Sequence, residues 1–208
     1  WKPSAVSIGY FQSLPDEVDA ELCKKTGVDI VRRRTGGGAV YHDANGEITY
    51  SVIAKEEMFP EGITESYYVI CGWIVSALGK LGIKAEFKPI NDIITNGKKI
   101  SGNAQTRRNG ILLQHGTILY KLDVETMFSL LKVPKEKISD KFIQDVRQRV
   151  TSVTDQANVS EEELKAALVE GFTEGKEFDF EVITEEEKAA PEELVKTRYA
   201  ADEWTYMK

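Results

Sequence analysis

The dipeptide Asn109-Gly110 sits between two strand-like runs, and no other feature fixes so much of the fold. Asn-Gly suits a two-residue type I′ turn, because both of its residues accept positive φ. Such a turn pairs Arg108 with Ile111, and the register then carries Ala104 opposite His115 and Gly102 opposite Thr117. Small residues facing small or polar ones predict a slot in an antiparallel sheet rather than a filled core. The same alternation puts Lys99, Ser101 and Asn103 on the other face unless a bulge intervenes. On that reading Lys99 and His115 serve different ends of any ligand.

The rest of the chain reads as mixed α and β. Residues 5–11 form a mostly buried strand, and Pro15-Asp16-Glu17 starts a helix that Lys24-Lys25 and Gly27 close. Val28–Val31 is a short strand. Ile48, Tyr50 and Val52 alternate with polar residues, the period of a half-buried strand. Tyr67, Ile70, Cys71, Ile74, Leu78 and Leu81 recur at threes and fours, which predicts an amphipathic helix from Thr64 to Leu81 with Cys71 packed in its stripe. Ser160-x-x-Glu163 and Thr184-x-x-Glu187 are capping boxes that open helices in the last third. Residues 132–151 are basic and weakly patterned, long enough for a lid. The 208 residues fit a single domain, with no internal repeat.

The most chemically charged stretch is Arg32-Arg33-Arg34-Thr35-Gly36-Gly37-Gly38-Ala39-Val40-Tyr41-His42-Asp43. Bare glycine backbone brings N–H groups close to a ligand, and successive N–H groups make an anion-binding concavity. Arginine beside it adds a permanently charged fork suited to phosphate or carboxylate. A tight turn beside a solvated basic run is the plainer alternative, and the His-Asp that follows favours a ligand site.

Several classes are excluded. A net charge of −7 argues against nucleic acid as a partner, since phosphate neutralisation needs surplus Lys and Arg. No run of 18 apolar residues is present to span a membrane. Two cysteines, Cys23 and Cys71, without metal spacing or a signal peptide point to a cytoplasmic protein. The motifs G-x-x-x-x-G-K-[ST], G-x-G-x-x-G and G-x-S-x-G are missing, and His42 and His115, the only histidines, cannot form HExxH.

Two further polar stretches interrupt the strands: Asn91-Asp92, then Gly97-Lys98-Lys99-Ile100-Ser101-Gly102-Asn103-Ala104-Gln105. A lysine on a strand with small neighbours reaches a phosphate without steric competition; Lys98 reads as a solvated turn residue and Lys99 does not. Taken in order, Arg-Arg-x-Thr-Gly-Gly-Gly-Ala-Val-Tyr-His-Asp, Asn-Asp-Ile, Gly-Lys-Lys-Ile-Ser-Gly-x-Ala-Gln and Gln-His-Gly-Thr-Ile-Leu closely resemble the lipoate–protein ligase A family across nearly the whole chain. Trp1-x-Pro-x-x-Val-x-Ile-Gly resembles the family's second strand. Asp140-Lys141 with Val146–Val150 resembles its adenylate-binding loop.

The resemblance implies an α+β fold, a mixed and largely antiparallel sheet flanked by helices, of the biotin/lipoate–protein ligase catalytic type. It implies that lipoate and Mg2+-ATP give lipoyl-AMP, and that a lysine of an acceptor lipoyl domain (2-oxoacid dehydrogenase E2 or glycine-cleavage H type) then takes the lipoyl group. Lys99 matches the family's essential lysine. Arg33, Thr35, Gly36, Gly37, Gly38 and Tyr41 match the lipoate-binding loop, and His42, Ala104, His115 and Gly116 match positions lining the acyl slot. Asn91 and Asp92 match the phosphate end, with Asp92 toward magnesium. Ser101, Gly102 and Thr117 are expected near the ligand. On the resemblance, no C-terminal accessory domain like that of larger members is expected, which implies a small accessory subunit, and the family's first strand and helix are expected before Trp1. One alternative is an octanoyl or lipoyl transferase working through a cysteine thioester, whose cysteine would stand where Asn91-Asp92 does. Another is a non-catalytic subunit that binds only the acyl carrier.

Overall fold

The computed structural model describes residues 1–132 and 147–207. In chain order the elements are strand β1 (Ala5–Ile8), helices α1 (Leu14–Glu17) and α2 (Ala20–Thr26), and strands β2 (Asp29–Arg32), β3 (Val40–His42) and β4 (Glu47–Lys55). Helix α3 (Ile63–Lys80) precedes strands β5 (Ala85–Lys88), β6 (Asp92–Thr95), β7 (Lys98–Arg108) and β8 (Ile111–Leu119). Helices α4 (Val124–Leu130), α5 (Val153–Gln156), α6 (Glu161–Thr173), α7 (Glu185–Leu194) and α8 (Asp202–Thr205) complete the described chain. The family-like loop at 140–150 lies mostly outside the described residues. Among the described residues no helix is long and apolar enough to cross a membrane.

The chain divides into two compact units. The first comprises residues 1–44, 125–135 and 176–208; the second comprises 45–124 and 136–175. In the first unit β1 is the middle strand of three, parallel to β2 and antiparallel to β3. Its core gathers Val6, Ile8, Leu14, Val18, Cys23 and Leu130. The single helix expected from Pro15 to Gly27 is in fact two, because Val18 turns extended, is buried, and bridges to Leu131. Burying one more apolar side chain outweighs the helical hydrogen bonds lost there, and Asp19 restarts the helix by accepting the Leu22 N–H at 3.0 Å.

In the second unit five strands run in the order β4-β8-β7-β6-β5, every neighbouring pair antiparallel. The Asn109-Gly110 turn is present with positive φ at both residues, and it delivers the expected pairs Arg108–Ile111, Ala104–His115 and Gly102–Thr117. Along β8, Leu112, Gln114, Gly116 and Ile118 are buried while the residues between them are half-buried, so one face packs on a core. That core is the apolar stripe of α3 (Tyr67, Cys71, Ile74, Ala77, Leu78) with Ile93, Ile100 and Ile118 of the sheet and Leu164, Ala167 and Leu168 of α6. Each fully buried Ile or Leu contributes about 1.5–3 kcal/mol, so α3 is held by its stripe rather than by its caps.

Two outcomes test this packing. Helix α6 approaches α3 so closely at Gly171 that an added methyl would run into the Trp73 carbonyl and the Ala77 side chain. Gly171→Ala should therefore cost about 1–3 kcal/mol in a urea titration. Burial also pushes the Cys71 thiol from 9.0 up to about 12 and the Tyr67 phenol from 10.0 up to about 12, and raises Tyr50 further. Above pH 9 the unfolded chain loses these protons while the folded chain keeps them. Stability present below that pH should then fall as pH rises toward about 12, read as a lower urea midpoint at pH 10.5 than at pH 8.

Candidate active site

The first unit carries the arginine–glycine loop. Where β2 ends, the Arg33 N–H donates to Ile8 O at 3.0 Å and the Tyr10 N–H to Thr35 O at 2.9 Å, which lays the loop along the end of β1. The Arg33 guanidinium donates to Ser7 O and Oγ at 3.0 and 3.1 Å, and to the carbonyls of Gly36 and Gly38 at 2.8 and 2.7 Å. Four contacts to the loop and its supporting strand make Arg33 an internal brace rather than the outward cation its position suggests. Burial lowers its pKa without threatening its charge. Of the three glycines only Gly37 has positive φ, +96°, and a methyl there would stand 3.0 Å from the guanidinium. A methyl on Gly9 would strike the Gly37 carbonyl, so strand and loop touch backbone to backbone.

His42 lies beneath this loop. It is 6% exposed, stacks on Trp1 at 4.2 Å, and its Nε2 is 2.7 Å from Ser7 Oγ. His42 is thus a strut in the line Arg33–Ser7–His42. Thr35 is buried and Tyr41 half-buried, paired with Val6.

The second unit carries the lysine strand, and here the sequence reading needs correction. The register between β6 and β7 slips, pairing Ile93 with Ser101 but Ile94 with Lys99, so Ile100 is an extra residue in β7. Ile100 and Ser101 are consequently both buried, one after the other. Lys99 moves to the face of Gly102, Ala104 and His115, not the face of Ser101 and Asn103. A methyl on Gly102 would stand 2.8 Å from Lys99 Cε and 2.9 Å from Nζ, so the missing side chain is the space the amine occupies. Lys99 Nζ lies 2.6 Å from Asp92 Oδ1. The contact is ionic, because that buried oxygen has no well-aligned hydrogen bond. Both side chains are partly exposed, so solvent weakens the pair.

Ser101 and Gly116, expected near a ligand, belong to the core face instead. A methyl on Gly116 would meet Asn103 Oδ1 and Tyr50 Cε1, and the space serves a buried polar network that the sequence reading missed. Tyr50 donates to Asn103 Oδ1 at 2.7 Å and accepts from Gln114 Nε2 at 2.9 Å; Gln105 Nε2 donates to Gln114 Oε1 at 2.8 Å. Asn103 and Asn91 exchange side-chain-to-carbonyl bonds, Asn103 Nδ2 to Asn91 O at 2.9 Å and Asn91 Nδ2 to Asn103 O at 2.5 Å. The network therefore anchors the residue that precedes Asp92. The described residues hold no group of three or more His, Cys, Asp or Glu suited to a metal ion, and the Asp92 carboxylate is taken by Lys99.

The expected residues thus form two sets: Arg33, Thr35, Gly36–Gly38, Tyr41 and His42 in the first unit, and Asn91, Asp92, Lys99, Ser101, Gly102, Ala104, His115, Gly116 and Thr117 in the second. Tyr50→Phe should expose the network's worth: it removes the partner of a buried Gln114 N–H and leaves Asn103 Oδ1 with the long 3.5 Å bond from Ser101 Oγ, at a cost of about 1–3 kcal/mol by chemical denaturation.

A lysine freed onto a strip of small residues, and a braced glycine loop, have counterparts in known proteins. The family model for the lipoyl protein ligase A/B catalytic domain matches residues 1–173. An octanoyltransferase LipM of Brevibacillus brevis is 36% identical over 98% of this chain and 84% of that protein. A solved bi-partite lipoate protein ligase of Thermoplasma acidophilum, described with its E2 lipoyl domain, superposes with a TM-score of 0.89 at 38% identity, covering 98% of this chain and 80% of that one. A lipoate-protein ligase A bound with ATP superposes with a TM-score of 0.85 at 35% identity, over 98% and 82% of the two chains. This chain belongs to the lipoyl protein ligase A/B catalytic-domain family, with the α+β fold of the lipoate–protein ligases.

Proposed function

We propose that this chain is a lipoate–protein ligase, which activates lipoate with ATP and passes the lipoyl group to a lysine of an acceptor lipoyl domain. The observation that carries this reading is the state of its thiols. Both cysteines, Cys23 and Cys71, are fully buried, and burial raises both pKa values, that of Cys71 to about 12. An enzyme thioester needs an accessible thiolate. Without one, the acyl carboxylate needs another activating group, and the ATP-bound solved ligase supports a nucleotide.

In the first step a carboxylate oxygen attacks the α-phosphorus, the mixed anhydride forms, and pyrophosphate leaves. Two anions must approach each other, and a fixed positive charge offsets their repulsion. The Lys99 ammonium, seated in the space over Gly102, is assigned that role, with Ala104 on the same face. In the second step the acceptor amine attacks the acyl carbon, the C–N bond forms as the nitrogen gives up a proton to solvent, the C–O bond to phosphate breaks, and AMP leaves. Lys99 then steadies the charge growing on the carbonyl oxygen. Asp92 holds the amine in place between turnovers; Asn91 immediately precedes β6, and His115 stands on β8 opposite Ala104. The N–H groups of Gly37 and Gly38 are assigned to the acid, on a loop that Arg33 braces. The bi-partite relative supports a small accessory subunit as a second partner.

A second reading, octanoyl transfer from an acyl carrier protein, is favoured by the LipM relative. Two reactions separate them: ATP, lipoate and an acceptor domain, with preformed lipoyl-AMP as a supplement, against octanoyl-carrier protein without ATP. The ligase predicts transfer in the first only, and ATP-independent transfer from the carrier would sink it. Lys99→Ala should lower turnover by about 10³-fold or more with the melting temperature near wild type.

A further inference from the structure

Arg32 is 3% exposed, yet among the described residues its hydrogen-bond partners are five backbone carbonyls and no carboxylate. Three belong to the turn after β1: Gly9 O at 3.0 Å, Tyr10 O at 3.2 Å and Gln12 O at 2.7 Å. Two belong to the end of α8: Trp204 O at 3.0 Å and Thr205 O at 2.8 Å. The last carbonyls of a helix have no partner within it and attract cations. Trp204 returns the bond, its indole Nε1 donating to Arg32 O at 2.9 Å. Arg34 NH1 reaches Tyr199 Oη at 3.2 Å, and the Trp204 ring lies 5.8 Å from Tyr10.

These contacts lead directly to the glycine loop. Arg32 fixes the Gly9 carbonyl, and the Cα of Gly9 is the surface on which the Gly37 carbonyl rests. Arg33, next in the chain, braces Gly36 and Gly38. The segment that supplies Trp204 lies beyond residues 1–173, the part matched by the family model. The geometry points to Arg32 and Trp204 as positioning residues of the acid-binding loop: the C-terminal turn at 202–205 sets the loop's shape, and with it the affinity for the acid. This rests on the ligase reading for the identity of the acid and on the contacts of Arg32, Arg33 and Gly9 for the loop.

The test compares wild type with Trp204→Ala, and with Trp204→Phe, which keeps a ring and loses only the N–H. Amide hydrogen exchange, calorimetric titration with lipoate and with octanoate, and steady-state kinetics are read on each. Expected for Trp204→Ala are faster exchange at residues 35–38 with β7 and β8 unchanged, and KM for the acid raised about tenfold with kcat and the KM for ATP within about twofold. Trp204→Phe should fall between. Unchanged exchange at 35–38 overturns the proposal, as does a loosened loop with unaltered acid affinity. Exchange that quickens throughout the protein with a matching fall in kcat also overturns it, since that is a merely structural role. A wild-type protein that binds neither acid removes the ligase reading instead. Exchange at residues 35–38 then decides alone, acceleration supporting the positioning role and indifference overturning it.

Discussion

One extra residue in strand β7 governs what the larger sheet can do. Side chains alternate along a strand with a period of two, so a bulge, which keeps two consecutive side chains on one face, shifts the phase of everything before it. With Ile100 inserted, Lys99 shares a face with Gly102 and Ala104, while Ile100 and Ser101 both enter the core. In a regular strand of the same sequence the ammonium would instead share the face of Ser101, toward Ile93, Ile118 and the stripe of α3. An uncompensated charge there costs several kcal/mol or loses its proton, and either outcome ends its use as a cation. The absent side chain of Gly102 completes the arrangement, because a bulge alone would aim the lysine at a methyl group.

The two units handle positive charge in opposite ways, and the difference follows from the side chains. Arginine keeps its charge even when desolvated, so burying it requires enough acceptors. Arg32 and Arg33 meet that demand with carbonyls of the turn, the loop and the last helix. A guanidinium saturated in this way cannot turn to a ligand without breaking the backbone it organises; it is a fixed part of the loop. Lys99 is partly exposed and, among the described residues, faces the Asp92 carboxylate through a contact that solvent weakens. An incoming anion competes with one carboxylate for a flexible amine, which is the more easily redirected of the two arrangements.

Much of the scaffold was legible because its signals are local. Asn109-Gly110 dictated a turn type and through it the pairs Ala104–His115 and Gly102–Thr117. The stripe of α3 and the capping boxes at Ser160 and Thr184 likewise depend on residues three or four apart. What escaped depends on distant partners. The bulge at Ile100 is a compromise between two neighbouring strands, and nothing in Lys-Lys-Ile-Ser-Gly announces it. Arg32 and Arg33 read as a basic run because their acceptors, from Ser7 to Thr205, are scattered along the chain. The polar network left a trace: Asn103, Gln105 and Gln114 occupy core-face positions by simple alternation, and a polar residue there asks for a partner. The helix around Val18 broke for a tertiary reason, the bridge to Leu131.

A family that includes proteins named as ligases and as octanoyltransferases raises the question of what chemistry the shared scaffold leaves open. Both reactions end with an amine attacking an acyl carbon, and both gain from a cation near the carbonyl oxygen. Lys99 suits either one. The difference lies earlier, in how the acyl group is made reactive: an anhydride with phosphate needs a second anion brought to the first, while a thioester needs a thiolate. A thiol pushed up to about 12 by burial, as Cys71 is, stays protonated at neutral pH and sits in the core besides. Positive charge is available in this chain where an accessible thiolate is not, and that asymmetry favours the nucleotide route.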